Sequence, residues 1–434
     1  MKQYPKYKDS KISWLGDVPE HWKRLRYKDI LVPKDIRVGN NPSYTLLSLT
    51  KQGVIVRDLS EGKGKFPKDF DTYKVVEPDD FILCLFDVDE TPRTVGVANN
   101  YGMITGAYDI FSVLRCQLRY LYYHYLSLDD KKCLKPLYKG LRKTIPLPRL
   151  LSAYIYLPPT DEQQAIVDFL DKAVEKIDRY IAAKEAEIEK LGTLKQSIIS
   201  QAVTKGLDPN ATMKDSGIDW IGSIPKHWEI HSIKQHFCIQ KRIAGKEGYD
   251  VFSITQNGLK IKDISNNDGQ MAANYSGYQF VYPGNFAMNH MDLITGGVGL
   301  AAAFGVTSPD YRVFELFDNN NCHSEYYLRI FQICYWRRIF YRYGRGAAST
   351  GRWRLPAKAF LNFQIPMPPI KEQEEIVKYI NEQTEKIDSS IVNIRQQIEK
   401  LKTYKQRLIS DAVTGKIDVR NAKNGYNEVR SAEL

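Results

Sequence analysis

The 434-residue sequence predicts an α+β protein: two pseudo-two-fold-related strand-rich bodies separated by two long helices in an antiparallel coiled coil. Three observations predict this class: an internal repeat, a change of hydrophobic period after each Pro-Pro step, and two apolar seams that match in length and phase. The repeat comes first, because missing it misassigns the whole fold. DSKISWLGDVPEHW (9–22) returns as DSGIDWIGSIPKHW (215–228), a shift of 206 residues from Asp9 to Asp215. LSLTKQGVIVRDLS (47–60) returns as FSITQNGLKIKDIS (252–265), and YKVVEPDDF (73–81) as YQFVYPGNF (278–286). LPPTDEQQAIVDFL (157–170) returns as MPPIKEQEEIVKYI (367–380), where the shift has reached 210. A drift of a few residues belongs in surface loops, which tolerate length changes.

Each half therefore reads in one order: a Trp-containing opening, a strand-rich body, a Pro-Pro step and a charged helix. The expected divisions are a first body over 1–157, a first helix over 158–208, a second body over 209–367, a second helix over 368–420 and a tail over 421–434. In the first helix the apolar positions run Ile166, Leu170, Ala173, Ile177, Ile181, Ile188, Leu191, Leu194, Ile198 and Ala202. In the second they run Ile376, Ile380, Ile387, Ile391, Ile398, Leu401, Tyr404, Leu408 and Ala412. Steps that mostly alternate between three and four give a narrow stripe, the pattern of a coiled-coil seam. At about 1.5 Å per residue the first helix spans roughly 65 Å, too long to be buried inside one small domain. Two equal seams in one chain are natural partners for each other. Thr160 with Gln163 predicts a capping box at the first start, and Ile370 takes the threonine's place at the second.

Composition narrows the function. A net charge of +11 and a pI near 9.1 favour an anionic partner such as nucleic acid. Six cysteines without a CxxC pair, and no signal-peptide pattern, predict reduced thiols in the cytoplasm rather than a disulfide framework or zinc cluster. Cys322 and His323 are adjacent but lack further ligands at metal spacing, so no metal site is expected. No apolar run approaches the ~18 residues of a membrane span. With 43% hydrophobic residues, disorder is excluded.

Three motifs invite a catalytic reading and fail it. Asn41-Pro42-Ser43-Tyr44 resembles the NPPY-type motif of amino-methyltransferases, which would make the chain a stand-alone adenine methyltransferase. Yet the repeat has Lys246-Glu247-Gly248 opposite its first three residues, which favours a turn. Gly296-Gly297-Val298-Gly299 lacks the spacing of a nucleotide-binding loop, and no GxxxxGK[ST] sequence occurs. Pro309-Asp310 with Glu315 lacks the lysine of a metal nuclease. His21 and His227 recur beside Trp22 and Trp228, which points to packing in each opening segment rather than to acid-base chemistry. No catalytic residue is assigned.

Recognition remains. Glycine lets a backbone approach phosphate, while Lys and Arg neutralise it or read a base edge. Loops of that composition nominate Lys63, Lys65, Lys139, Arg142 and Lys143 in the first half. Lys241, Arg242, Arg345, Arg352 and Arg354 are nominated in the second.

Two variable bodies, each introduced by a WLG-x-x-P-x-HW-like segment and followed by PP-x-x-EQ into a long helix, resemble the specificity subunit of type I restriction-modification systems. The resemblance covers nearly the whole chain. It implies that the bodies are target recognition domains, each reading one half of a split double-stranded DNA sequence, with the helices setting the spacing. It implies further that the chain is not itself an enzyme. Two modification subunits would carry S-adenosylmethionine and the adenine methyltransferase chemistry, and restriction subunits would use ATP and Mg for cleavage. A two-domain DNA-binding regulator without enzyme partners is the rival expectation.

Overall fold

A computed structural model of the protein describes residues 2–39, 44–57, 70–256, 258–263, 274–346 and 353–420. Six α-helices are formed there: α1 (Leu118–Asp130), α2 (Leu147–Ser152), α3 (Thr160–Lys205), α4 (Ser324–Trp336), α5 (Ala357–Leu361) and α6 (Ile370–Val413). The chain divides into two compact units that do not follow chain order. The first holds residues 1–184 with 395–434, and the second holds 185–394. Each unit thus contains one strand-rich body, the start of the helix that follows it and the end of the other long helix.

In the first unit an antiparallel sheet runs in the order Leu31–Lys34, Asp109–Val113, Phe81–Leu83, Val95–Val97. The second unit repeats it as Phe237–Gln240, Arg312–Leu316, Phe286–Met288, Val298–Leu300. These strands are short and apolar because one face packs against a helix. Phe81, Phe111, Tyr120 and Leu121 share one core; Phe286, Phe314, Tyr327 and Phe331 share the other. A two-stranded ribbon joins the strand after each opening to the strand before each Pro-Pro step: Lys23–Arg26 with Tyr154–Leu157, and Glu229–Ser232 with Gln364–Met367.

The repeated HW and EQ dipeptides meet in space. Trp22 is buried, and its Nε1 donates to Glu162 Oε1 at 2.9 Å. His21 Nε2 lies 2.7 Å from the other oxygen, and Tyr4 donates to Oε1 at 2.7 Å. In the second unit Glu372 accepts from Trp228 Nε1 at 3.0 Å and faces His227 Nε2 at 2.8 Å. The neighbouring glutamine ties the same helix start to the next helix. Gln163 accepts from the Gln117 N–H just before α1 and donates to the Pro158 carbonyl. Gln373 does the same with His323, just before α4, and with Pro368. The capping box expected at Thr160 is therefore replaced. Helix α3 already begins at Thr160, and Gln163 turns outward to α1 instead of back to its own terminus. Since α6 starts the same way from Ile370, the missing threonine has no consequence there.

Helix packing is antiparallel within each unit. In the first, Glu162 lies by Arg420 and Asp178 by Lys405. In the second, Lys195 pairs with Asp388 and Gly206 approaches Glu372. The two lysine–aspartate pairs, each 2.6 Å, are related by the repeat. Exposed as they are, they contribute about 0–1 kcal/mol each and act mainly to mark register. The apolar stripe supplies the packing. Ile166, Leu170, Ile177, Ile376 and Ile380 are fully buried, Ile387 and Ile398 nearly so, while Ile188, Leu191 and Leu401 are half-buried. The expected seam changes face towards the end of α3, where Leu194 is 49% exposed and Ile199 rather than Ile198 is fully buried. There the helix turns Ile199, Ala202 and Val203 to the core around Trp228 and Tyr326.

Both long helices end alike. Tyr326 donates to the Val203 carbonyl at 2.9 Å and Tyr120 to the Val413 carbonyl at 3.1 Å, satisfying acceptors that a helix end leaves without partners. Gly206 and Gly415 follow with φ of +75° and +74°, the left-handed C′ position that glycine occupies without strain. A Cβ at Gly415 would also collide with Pro19.

These contacts set two measurable outcomes. Glu162→Ala leaves the buried Tyr4 and Trp22 donors, and the more exposed His21 ring, without their acceptor and is expected to cost about 2–4 kcal/mol in urea unfolding. Glu372→Ala, on a more exposed carboxylate with two such partners, is expected to cost less. An equal or negligible loss in both variants rules the carboxylates out as the organising interactions. Separately, burial pulls the His124 pKa down to about 4 from 6.5. The unfolded chain therefore binds more protons between those values, and stability falls as pH drops through them, by on the order of 3 kcal/mol. His124→Phe is expected to flatten that part of the stability–pH curve.

Candidate nucleic-acid interface

The central sheets have two ends. At one, the strands lead into the openings of α1 and α4. At the other, they lead into loops, and the nominated basic residues that are described collect there. Residues Lys139 and Thr144 form an antiparallel bridge closed by two backbone hydrogen bonds, 2.8 and 3.2 Å, with Gly140 in the left-handed region. The hairpin tip carries Leu141, which is fully exposed, and Arg142. Its base is fixed to the loop after Phe81–Leu83: Asp87 donates its N–H to the Arg142 carbonyl, and Lys143 Nζ lies 3.0 Å from Asp89. The Lys143 ammonium and the Tyr138 hydroxyl hold the Asp89 carboxyl below its usual range, the lysine being the larger influence. Lys143 is thus partly neutralised, whereas Lys139 and Arg142 extend into solvent.

In the second unit Arg345 and Arg354 form the corresponding bridge, with backbone hydrogen bonds of 2.8 and 3.0 Å. Lys139 and Arg345 are separated by the same 206 residues as Asp9 and Asp215, so the two hairpins are one repeated device. Lys241 and Arg242 follow the strand Phe237–Gln240; Arg242 stands 5.7 Å from the Tyr282 ring centre and 3.8 Å from Glu315. Lys63, Lys65 and Arg352 lie outside the described residues, as do Asn41, Pro42 and Ser43. Tyr44 packs its ring on Tyr101. The Gly296-Gly297 turn is closed against the Asp292 and Thr255 carbonyls, leaving no room for side chains.

The structure adds residues that composition did not nominate. Arg312 opens the central strand at the loop end and is only 5% exposed. It donates to the Leu355 carbonyl at 2.8 Å and covers the Phe360 ring at 5.0 Å, and its Nη1 has no hydrogen-bond partner among the described residues. Burial draws its pKa down to about 10. Beside it, His290 is pulled down to about 4, first by burial and then by Arg312, Arg354 and Lys241. Two nominated residues, Lys241 and Arg354, therefore lie close enough to a neutral, half-buried His290 and the buried Arg312 to act on that histidine. The first unit has Asp109 at the strand position of Arg312. Burial raises that carboxyl, against the pull of Lys74. The alternation of apolar residues hides both, since a charged residue opening a strand reads as a strand edge. In the first unit a further pair escaped the sequence reading: Arg24 stacks 3.7 Å above the Tyr154 ring, and Arg26 donates to its hydroxyl at 3.2 Å.

Two copies of one scaffold, each presenting a basic hairpin from the same end of its sheet, define a class: a duplicated nucleic-acid-recognition protein. The particular family follows from comparison. The family model for the type I restriction modification DNA specificity domain matches residues 100–190 and 228–400, and the chain belongs to that family. It is 24% identical to the MjaVIII specificity subunit of a type I restriction enzyme from Methanocaldococcus jannaschii over 286 residues, which are 62% of this chain and 63% of that subunit. To the putative MjaX specificity subunit from the same organism it is 21% identical over 450 residues, 96% of this chain and 99% of that one. A solved chain from work on complex assembly and conformational transition of the type I R-M system shares the fold at a TM-score of 0.64 and 14% identity, covering 92% of this chain and 99% of that one. The class is that of a DNA specificity subunit. No helix among the described residues is long and apolar enough to cross a membrane.

Arg345→Ala with Arg354→Ala is expected to weaken specific DNA binding and make its salt dependence shallower, by about one unit of slope for each phosphate no longer neutralised. Lys139→Ala with Arg142→Ala is expected to do so for the other half-site. A salt slope identical to wild type places a pair off the interface.

Proposed function

We propose that the chain is the sequence-specific subunit of a type I restriction-modification complex, with each body reading one half of a bipartite, asymmetric DNA site. The observation that carries this reading is that the basic bridges Lys139–Thr144 and Arg345–Arg354 occupy equivalent places on equivalent scaffolds yet differ in sequence. Equivalent placement gives two half-sites. Different side chains, with Asp109 in one and Arg312 in the other, give them different content.

The long helices set the spacer and dock two methyltransferase subunits, with restriction subunits completing the assembly. S-adenosylmethionine, ATP and Mg are then held by those partners, and the complex works in the cytoplasm. Lys139, Arg142, Lys143, Lys241, Arg242, Arg345 and Arg354 are assigned to DNA contacts, as are Lys63, Lys65 and Arg352 from their sequence. Mapping methylated adenines in cells with and without this chain tests the reading directly; an unchanged map overturns it.

The ruler role has its own test. Four residues inserted after Leu191 lengthen α3 by about 6 Å, close to two base-pair steps of about 3.4 Å. Methylation is expected at a site whose spacer has grown by about one or two base pairs while both half-sites stay as they were. Altered half-sites with an unchanged spacer would sink the ruler.

A further inference from the structure

One cluster in the second unit takes no part in the DNA reading. It lies at the other end of the central sheet, where the strand Phe237–Gln240 begins and Arg312–Leu316 ends. His236 closes the short turn before the first of these strands, and Asp318 and Cys322 lie between the second and α4. A ring nitrogen of His236, a carboxylate oxygen of Asp318 and the sulfur of Cys322 all fall within 4.8 Å of one another. His236 and Cys322 are buried, at 5% and 3% exposure. Three donors of nitrogen, oxygen and sulfur type, from two stretches some eighty residues apart in sequence, match what a zinc-class divalent ion selects.

The hydrogen bonds around His236 point the same way. Its Nδ1 is 2.9 Å from Asp318 Oδ2, and its Nε2 is 2.7 Å from His231 Nδ1. His231 Nε2 is in turn 2.8 Å from Glu229 Oε2. Three links between two carboxylates and two imidazoles need three hydrogens on the four ring nitrogens. Two neutral imidazoles supply only two. One extra positive charge is required, and it is either a proton or a metal ion. With a metal on His236 Nδ1 the count closes: Nε2–H donates to His231 Nδ1, and His231 Nε2–H donates to Glu229. That is the outer shell that ligating histidines ordinarily have, a second group orienting the ring through its other nitrogen. Asn321 Nδ2, 3.0 Å from Asp318, orients the carboxylate likewise.

The sulfur decides between the two. A proton on the imidazole pair gives Cys322 nothing to do. Its sulfur approaches the Met367 thioether, a weak acceptor, at 3.9 Å, and neighbours the Tyr327 hydroxyl, whose own hydrogen goes to that thioether. We propose that His236, Asp318 and Cys322 form a zinc-class metal site, with a fourth position open to water, that staples the second body to the start of α4. Binding forms the metal–sulfur and metal–nitrogen bonds, and the hydrogens displaced from those atoms leave to solvent. This departs from the expectation drawn from sequence, which looked for partners of Cys322 nearby in the chain and found only His323.

The first repeat is an internal control. It keeps a cysteine, Cys116, at the matching place one residue before the N-cap of α1, but has Ile30 where His236 stands and Leu25 where His231 stands. One site per chain is therefore expected, not two. The site does not depend on what DNA the protein reads.

The test uses the untagged full chain, stripped with chelator and titrated with cobalt(II), then with zinc. One equivalent of cobalt is expected, with a thiolate-to-cobalt charge-transfer band in the near ultraviolet that zinc abolishes. Cys322→Ser is expected to remove the band, His236→Gln to weaken binding at least about tenfold, and Cys116→Ser to change neither. The proposal is overturned by a chain that binds no cobalt stoichiometrically, leaving a proton on the histidine pair. It is equally overturned by a band that survives Cys322→Ser or depends on Cys116. Circular dichroism of each variant separates loss of the site from loss of the fold.

Discussion

Each unit depends on one carboxylate in the first turn of a long helix, fully buried in the first unit and half-buried in the second. Glu162, 3% exposed, sits in the first turn of α3 and takes hydrogen bonds from Trp22, Tyr4 and His21. A charge so buried is tolerated only when its lone pairs are taken up, and here the donors come from the opening segment of the same repeat. The favourable end of the helix dipole adds to this, since Glu162 lies where the N-terminal N–H groups concentrate positive charge. Glu372 repeats the arrangement with one fewer partner and more solvent. Through this contact the start of a long helix, the opening strand pair and the body between them are fixed at one point. Gln163 and Gln373 extend it to α1 and α4.

That constraint explains why chain order and unit boundaries disagree. The end of α6 returns to the first unit, and Gly415 to Arg420 run beside its opening: Asp418 N–H donates to the Lys2 carbonyl and Arg420 stacks on Tyr4. The segment after α3 holds the same relation to the second opening, where Lys226 donates to the Thr212 carbonyl and Gly206 touches Trp228. Each body is thus completed by the helix end that the other repeat supplies. Ala202 and Val203, and Ala412 and Val413, are buried because small side chains let those ends approach Trp228 and Trp22.

The frame was legible in the sequence because its interactions are encoded by repeated residue types. Two HW dipeptides, two EQ dipeptides and two stripes of isoleucine and leucine are visible without coordinates, and they are the residues that touch. What escaped was of two kinds. Where a helix changes partner, its apolar face rotates, as Leu194 and Ile199 show, and a period read along one stripe carries no sign of that. Where a site is assembled from distant strands, spacing has no signature. Arg312 with His290, and His236 with Asp318 and Cys322, each join parts of the chain separated by more than twenty residues. The capping box at Thr160 failed for a related reason, because Gln163 had a better partner in another element than in its own helix.

The two ends of each central sheet are under opposite demands. At the helix end Glu162 with Gln163, and Glu372 with Gln373, tie each long helix to the opening segment and to the next helix, so a substitution there is felt throughout the unit. At the loop end Lys139 with Thr144, and Arg345 with Arg354, are each joined by two backbone hydrogen bonds, and the first pair is tied down further where Lys143 meets Asp89. The strand position beyond them accepts Asp109 in one unit and Arg312 in the other without altering strand order or register. Reversal of a buried charge at one position of a shared scaffold is costly unless each version finds its own compensation. Lys74 supplies it for Asp109; the Leu355 carbonyl and the Phe360 ring supply part of it for Arg312. The remainder for Arg312 is an Nη1 that has no acceptor among the described residues, in the surface region where Lys241 and Arg354 add further positive charge. Positive charge in excess at the loop end suits a polyanion, and bridges closed by backbone hydrogen bonds let two copies of one domain diverge in side chain while remaining one fold.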